Sequence, residues 1–172
     1  MIEQHWKRIA GMHVTKHGDI AMVWLAVDPD SGHIHIYDSC LFASEVAAVI
    51  AESINARGRW IPVAWIHPEM QQSFLDRGCR MLPDSSDDSD AMAEIVSRDL
   101  WERMRSKRIS VDKRLKNWLD EAKTLQRDDG KIPKDSSPLI SATRIAIQQL
   151  RSAKRQQSKI KNKQEGRRVA VI

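Results

Sequence analysis

Several groups of side chains in this sequence have types and spacings that could do chemistry. Asp84, Asp87, Asp88 and Asp90 crowd a short Ser/Asp stretch. Carboxylates at that density can hold a hard divalent cation. They can equally place negative charge at the positive end of a helix dipole, and the apolar spacing that follows from Ala91 favours this capping role. His33 and His35 alternate with Ile34 and Ile36, so both imidazoles share one face of a strand. A partly exposed sheet face accounts for that pattern more simply than a ligand pair. Cys40 and Cys79 fall outside any Cys-x-x-Cys spacing and read as buried free thiols rather than a zinc site or a disulfide. Trp6, Trp24, Trp60, Trp65, Trp101 and Trp118 could stack on single-stranded bases, but most lie inside apolar runs, which favours core packing.

Charge is the other chemical signal. The net charge is +5, yet residues 151 to 168 carry eight lysines and arginines against the single acid Glu165, leaving the rest of the chain slightly acidic. A basic tail on a nearly neutral body suits phosphate contact through counterion release, and a solubilising terminus is the alternative. Lys107, Arg108, Lys113, Arg114 and Lys116 form a second basic cluster, read either as an extension of a DNA-facing surface or as a solvated helix edge. The glycines never form a phosphate-binding or dinucleotide-binding loop, and no serine-nucleophile motif is present. No apolar run approaches the ~20 residues of a membrane span, and the N-terminus lacks secretory-signal order, so the reading is cytoplasmic, with no membrane partner.

The elements that must position these groups follow from periodicity. Alternation predicts strands over Lys7–His13, Ile20–Val27 and His33–Ser39, with Asp28-Pro29-Asp30-Ser31-Gly32 as the turn between the second and third. Ser44 is a candidate cap for a helix over Glu45–Ala56, and Trp60–Ile66 is an apolar run of strand length. Helices are predicted over Ala91–Arg105 and Lys113–Thr124, a turn at Asp128-Asp129-Gly130, and a last helix capped by Ser137 with Pro138 at its first position. A meander must be antiparallel, whereas a crossover helix favours parallel pairing. The fold class is therefore α/β, a mixed central sheet flanked by helices, and the element order begins an RNase H-like topology, one of several the pattern allows. Residues 1–153 form the domain, and 154–172 a basic, flexible tail.

Several blocks resemble the nuclease domain of tailed-phage terminase large subunits. They are His5-Trp6-Lys7-Arg8-Ile9-Ala10-Gly11-Met12, Arg59-Trp60-Ile61-Pro62-Val63-Ala64-Trp65, and Asp129-Gly130-Lys131-Ile132 followed by Leu139-Ile140-Ser141-Ala142-Thr143-Arg144. Weaker likeness lies in Leu100-Trp101-Glu102-Arg103-Met104 and Asn117-Trp118-Leu119-Asp120-Glu121. The blocks are collinear over residues 4 to 153. The resemblance implies an RNase H-like endonuclease, in which carboxylates from the first strand, the end of the fourth strand and the start of the last helix hold two divalent ions. It also implies a phage or prophage origin, a bacterial host cell, and double-stranded DNA, terminase or portal components as partners. A chain this short has no room for the motor ATPase as well.

The positions matching the family's acids read His13, Pro68 and the pair Ser137-Pro138. Imidazole can bind a transition metal but cannot bridge two magnesium ions, and proline offers no ligand. Asp19, Glu69 and Asp135 are the neighbouring carboxylates that could substitute, with His13, His17 and His67 as nitrogen donors. The expectation is a non-catalytic nuclease-like protein with no cofactor, whose tail residues Lys154, Arg155, Lys159, Lys161, Lys163, Arg167 and Arg168 contact DNA. The alternatives are a divergent endonuclease using Mg or Mn on substitute ligands, and an interaction protein that modulates terminase without touching DNA.

Overall fold

β1 (Lys7–Val14) and β2 (Ile20–Val27) pair antiparallel from Lys7↔Val27 to Val14↔Ile20, and β3 (Ile34–Phe42) continues the meander on the far side of β2. These elements belong to a computed structural model that describes residues 1–43 and 45–157. The turn into β3 closes where Gly32 donates its N–H to the Asp28 carbonyl at 2.9 Å, and its φ of +71° is one that glycine adopts without strain. β1 to β3 lie where alternation predicts them, with β3 extended to Phe42. Tyr37 is an extra residue in β3, since Trp24 pairs with Asp38 while Leu25 pairs with Ile36.

β4 (Val63–Ala64) lies parallel to β1, and β5 (Ile109–Val111) lies parallel to β3, giving the sheet order β4-β1-β2-β3-β5. The fourth strand is much shorter than the Trp60–Ile66 run. Ile61 is still bonded back to the Gly58 carbonyl in a turn, and Pro62 has no N–H to give to a ladder. β5 has no counterpart in the sequence reading, because three residues are too few to show alternation.

Helices cover both faces. α1 (Ala47–Ala56) and α2 (Pro68–Leu75) pack on one side, with Met12, Met22, Trp24, Ile50, Ile54 and Phe74 between them and the sheet. α3 (Asp90–Arg105), α4 (Lys116–Thr124) and α5 (Pro138–Gln148) cover the other, over Ile9, Val23, Leu25, Leu100, Trp118 and Ile145. Trp24, Trp65 and Trp118 are buried, as the core reading expected, whereas Trp101 is exposed. Cys40 and Cys79 are free thiols, Cys79 buried and Cys40 half-buried.

Three helix starts differ from the sequence reading. α1 begins at Ala47 after Val46, with no side-chain cap, and Ser44 lies outside the described residues. α2 follows directly from Pro68, whose ring fixes φ at a first helical position. α4 begins at Lys116 because Asp112 accepts the Arg114 N–H in a turn that occupies the preceding residues. α3 has Asp90 in its first turn, as expected of the acidic cluster, but the side-chain cap is Ser89, whose Oγ accepts the Met92 N–H at 3.2 Å.

Candidate functional site

α5 crosses β1 at Gly11, where a Cβ would stand 2.0 Å from the Ala142 carbonyl oxygen and 2.9 Å from the Ala146 Cβ. Strand alternation therefore turns Ile9, Gly11 and His13 toward α5. His13 is 2% exposed and its Nε2 lies 3.0 Å from Asp135 Oδ1, while Asp135 Oδ2 accepts the Lys16 backbone N–H at 3.1 Å. Burial pushes the His13 imidazole below its ordinary pKa, even though the Asp135 hydrogen bond and charge act the other way. Burial works against the charged Asp135, but the Lys16 N–H and His13 outweigh it and hold the carboxyl below its usual range. The pair is thus a neutral imidazole donating from Nε2 to an ionised carboxylate. His13 Nδ1 is buried without a partner among the described residues.

The dyad forms one wall of an open cleft of about 680 Å³. His67 and Glu69, on either side of Pro68 at the start of α2, line it, as do Asp88, Asp90, Lys131 and Lys134. The acids and lysines pair across the cleft: Lys131 Nζ reaches Asp90 Oδ2 at 3.2 Å, and Lys134 Nζ reaches Asp88 Oδ1 at 3.4 Å and Asp90 Oδ1 at 3.5 Å. Hydrogen bonds and charge from Lys131 and Lys134 hold the exposed Asp90 carboxyl below its ordinary pKa.

Ser137, just before α5, and Ser141 and Arg144 within it fix the segment that carries Lys134 and Asp135. Ser137 Oγ donates to the Pro133 carbonyl at 3.1 Å, Ser141 Oγ to the Lys134 carbonyl at 2.7 Å, and Arg144 Nη2 to the Pro133 carbonyl at 3.1 Å. Arg144 is 4% exposed and makes no carboxylate contact within ion-pair distance among the described residues, and burial pushes its guanidinium down to about 10. Ser137 does not cap α5, since its hydroxyl faces Pro133. That role falls to Glu121 of α4, which accepts the Ile140 N–H at 3.0 Å and bonds that of Leu139.

Of the sequence candidates, His13, His67, Glu69 and Asp135 are gathered in the cleft, and Asp19, His17, Ser137 and Pro138 are not part of its lining. Asp19 sits in the β1–β2 turn, donating its N–H to Thr15 Oγ1. The sequence reading missed Lys131 and Lys134, which the Asp129-Gly130-Lys131-Ile132 block partly contains, and favoured capping over cation binding for Asp88 and Asp90. Among the described residues, three metal-ligating groups meet only at exposed His5 and Asp30 and half-buried Asp28, at the opposite end of β1. The cleft side chains, as they stand, do not fit a two-ion site, because no three carboxylates converge and Asp135 is already engaged by His13 and Lys16.

The basic residues have a different distribution. The Lys154 backbone pairs with Arg8, donating at 3.0 Å and accepting at 2.6 Å, so the body of the fold runs through Lys154. The ladder row Lys7↔Val27, Val27↔Ile34, Ile34↔Ile109 sets Lys107 and Arg108 at the same end of the sheet as Lys7, Arg8 and Lys154. This end is opposite the cleft. Lys159, Lys161, Lys163, Arg167 and Arg168 lie outside the described residues. In the other cluster Arg114 pairs with Asp112, and His33 and His35 both bond Ser110 Oγ, at 2.8 and 2.7 Å. No helix among the described residues is long and apolar enough to cross a membrane.

No protein-family model matches the sequence, and no curated protein matches it. Solved structures do. The P22 large terminase nuclease domain superposes with a TM-score of 0.81 at 22% identity, covering 90% of this chain and 87% of that one. The nuclease domain of the large terminase from bacteriophage SPP1, solved with bound Mn, gives 0.64 at 18% identity over 82% and 85%. The human cytomegalovirus terminase nuclease domain gives 0.53 at 14% identity, covering 81% of this chain and 83% of that one. The mixed sheet, its helix layers and these superpositions together give the chain the RNase H-like fold of terminase large-subunit nuclease domains.

Proposed function

We propose that this chain is a non-catalytic, terminase-related protein of phage or prophage origin that has kept the nuclease scaffold and binds duplex DNA through the basic end of its sheet. The observation that carries the reading is the pairing of buried His13 with half-exposed Asp135. At the strand position where the resemblance expects a metal-binding acid, a neutral imidazole engages Asp135, one of the candidate substitute carboxylates. Two lysines in the same cleft supply positive charge to Asp88 and Asp90, acids that would otherwise attract cations. A two-metal mechanism needs hard anionic oxygens that converge to bridge the ions; here Asp88, Asp90 and Asp135 are engaged by protein cations and N–H groups, and Glu69, Asp128 and Asp129 of the lining do not meet them at a common point among the described residues.

Support for DNA contact comes from the far end. Lys7, Arg8, Lys107, Arg108, Lys154 and Arg155 lie there without carboxylate partners within ion-pair distance among the described residues, next to the start of the basic tail. Lysine and arginine not neutralised by an internal carboxylate are the groups that release counterions from a phosphate backbone; of these, Arg8 also stacks over Tyr37 and Trp60, and Arg108 Nε donates to Ser106 Oγ. Incubating the purified chain with supercoiled plasmid and magnesium or manganese tests the reading. Retention of plasmid without nicking is expected. Robust cleavage that a chelator stops, and that Glu69→Ala or Asp135→Ala abolishes, defeats the non-catalytic reading.

A further inference from the structure

We propose that the outer face of α1 is a docking groove for a partner's amphipathic helix bearing carboxylates along its flank. α1 buries Ile50, Ala51 and Ile54, and its solvent side exposes Ala48, Val49 and Ala56 alongside Glu52. Val46 and Val49 are 64% and 47% exposed. Beside them runs an open groove of about 470 Å³, floored by Ala48, Ala51 and Ala56 and rimmed by Arg59 and Arg77. Methyl side chains on the floor let a second helix approach toward the short end of the ~8–10 Å interaxial range.

Charge selects the occupant. Neither arginine makes an ion pair among the described residues, where the paired arginines are Arg57, Arg103, Arg105, Arg114 and Arg127. Arg77 Nη1 donates to the Ser73 carbonyl and hydroxyl at 2.7 and 2.9 Å, and Arg59 Nη1 packs over Gly78. Glu52 is the single acid in the lining, so the rim is net positive. The sign of the rim rejects the chain's own basic segment. The apolar floor is wasted on a phosphate backbone but matches a helix presenting apolar residues at i, i+4 and i+7. α1 has 10 residues, about 15 Å, so it can seat roughly three turns of partner helix.

A display selection on the full chain tests this. The library holds helices of about four turns with leucine at i, i+4 and i+7 and flanks randomised over Asp, Glu, Lys and Arg. Acidic flanks are expected to enrich about tenfold over basic ones, a ~1.4 kcal/mol preference. The double variant Arg59→Glu/Arg77→Glu is expected to reverse the preference, and Ala48→Arg to abolish binding while leaving the circular dichroism spectrum unchanged. Enrichment of basic flanks, no enrichment, or the same selection on the double variant overturns the proposal. Displacement of the selected helices by short duplex DNA, which reassigns the surface to phosphate, also overturns it. So does an Ala48-dependent dimer in sedimentation, which gives the groove to a second copy. DNA retention reads the opposite feature of the molecule, so failure here leaves the proposed function standing.

Discussion

His13 Nε2 lies 3.0 Å from Asp135 Oδ1, across 122 positions of sequence, and ties the end of β1 to the segment that leads into α5. The imidazole is neutral because burial lowers its pKa from the ordinary 6.5. Below pH 6.5 the unfolded chain therefore takes up a proton that the folded chain refuses. The stability contribution is complete above that pH and falls as pH drops toward the folded pKa. His35 is lowered in the same direction, first by burial. Asp135, also lowered, adds its loss only as pH falls below 3.8. A thermal melt series from pH 7.5 to 5 is expected to show Tm falling with acid, and His13→Gln to flatten part of that slope. An H13Q slope identical to that of the unmodified chain shows that the dyad does not set it.

Gly11 is fixed by the approach of α5. The atom that a new Cβ would strike is a helix carbonyl oxygen at 2.0 Å, which cannot rotate away as a side chain would. Gly11→Ala is expected to cost at least the upper end of the ~1–3 kcal/mol range for overpacking. Urea unfolding should show a lower midpoint with an unchanged m-value.

Glu121 joins α4 to the first turn of α5 by accepting the Ile140 N–H at 3.0 Å. Removing such a cap costs about 0.5–2 kcal/mol. Glu121→Ala is expected to fall in that range and to speed amide exchange at Leu139 and Ile140. Ser137→Ala should leave those two amides protected, because its hydroxyl donates to Pro133 instead.

Much of the scaffold was legible because its signals are local. The unbroken apolar run of β2 and the Asp28–Gly32 turn lie within a few residues of each other, and the acidic stretch that ends in Asp90 stands at the very start of α3. α2 was missed because Pro68 was weighed only as a lost ligand, although proline is also a good first residue for a helix. β5 exists through its parallel partner β3, which no short window contains. In the cleft, His13, Glu69 and Asp135 could be named from the resemblance. The Lys134–Asp88 and Lys131–Asp90 pairs join residues more than 40 positions apart, and a single sequence does not encode that separation as a pattern. Nor could it show that Lys107 and Lys154 share one end of the sheet, since this follows from strand register.

That shared end gives the DNA reading its sharpest consequence. Ending the chain after Gln157 removes Lys159, Lys161, Lys163, Arg167 and Arg168 but keeps the backbone pairing of Lys154 with Arg8. Each cation lost from a phosphate shallows the slope of log K against log salt by about 0.9. Truncation is therefore expected to weaken retention of duplex DNA and flatten its salt dependence, and Lys107→Glu/Arg108→Glu to do the same independently. Lys131→Glu/Lys134→Glu, at the opposite end, should leave the slope unchanged. A salt series in which only the cleft variant lost DNA would move the nucleic-acid surface to the cleft, because screening acts on whichever cations actually face the phosphates.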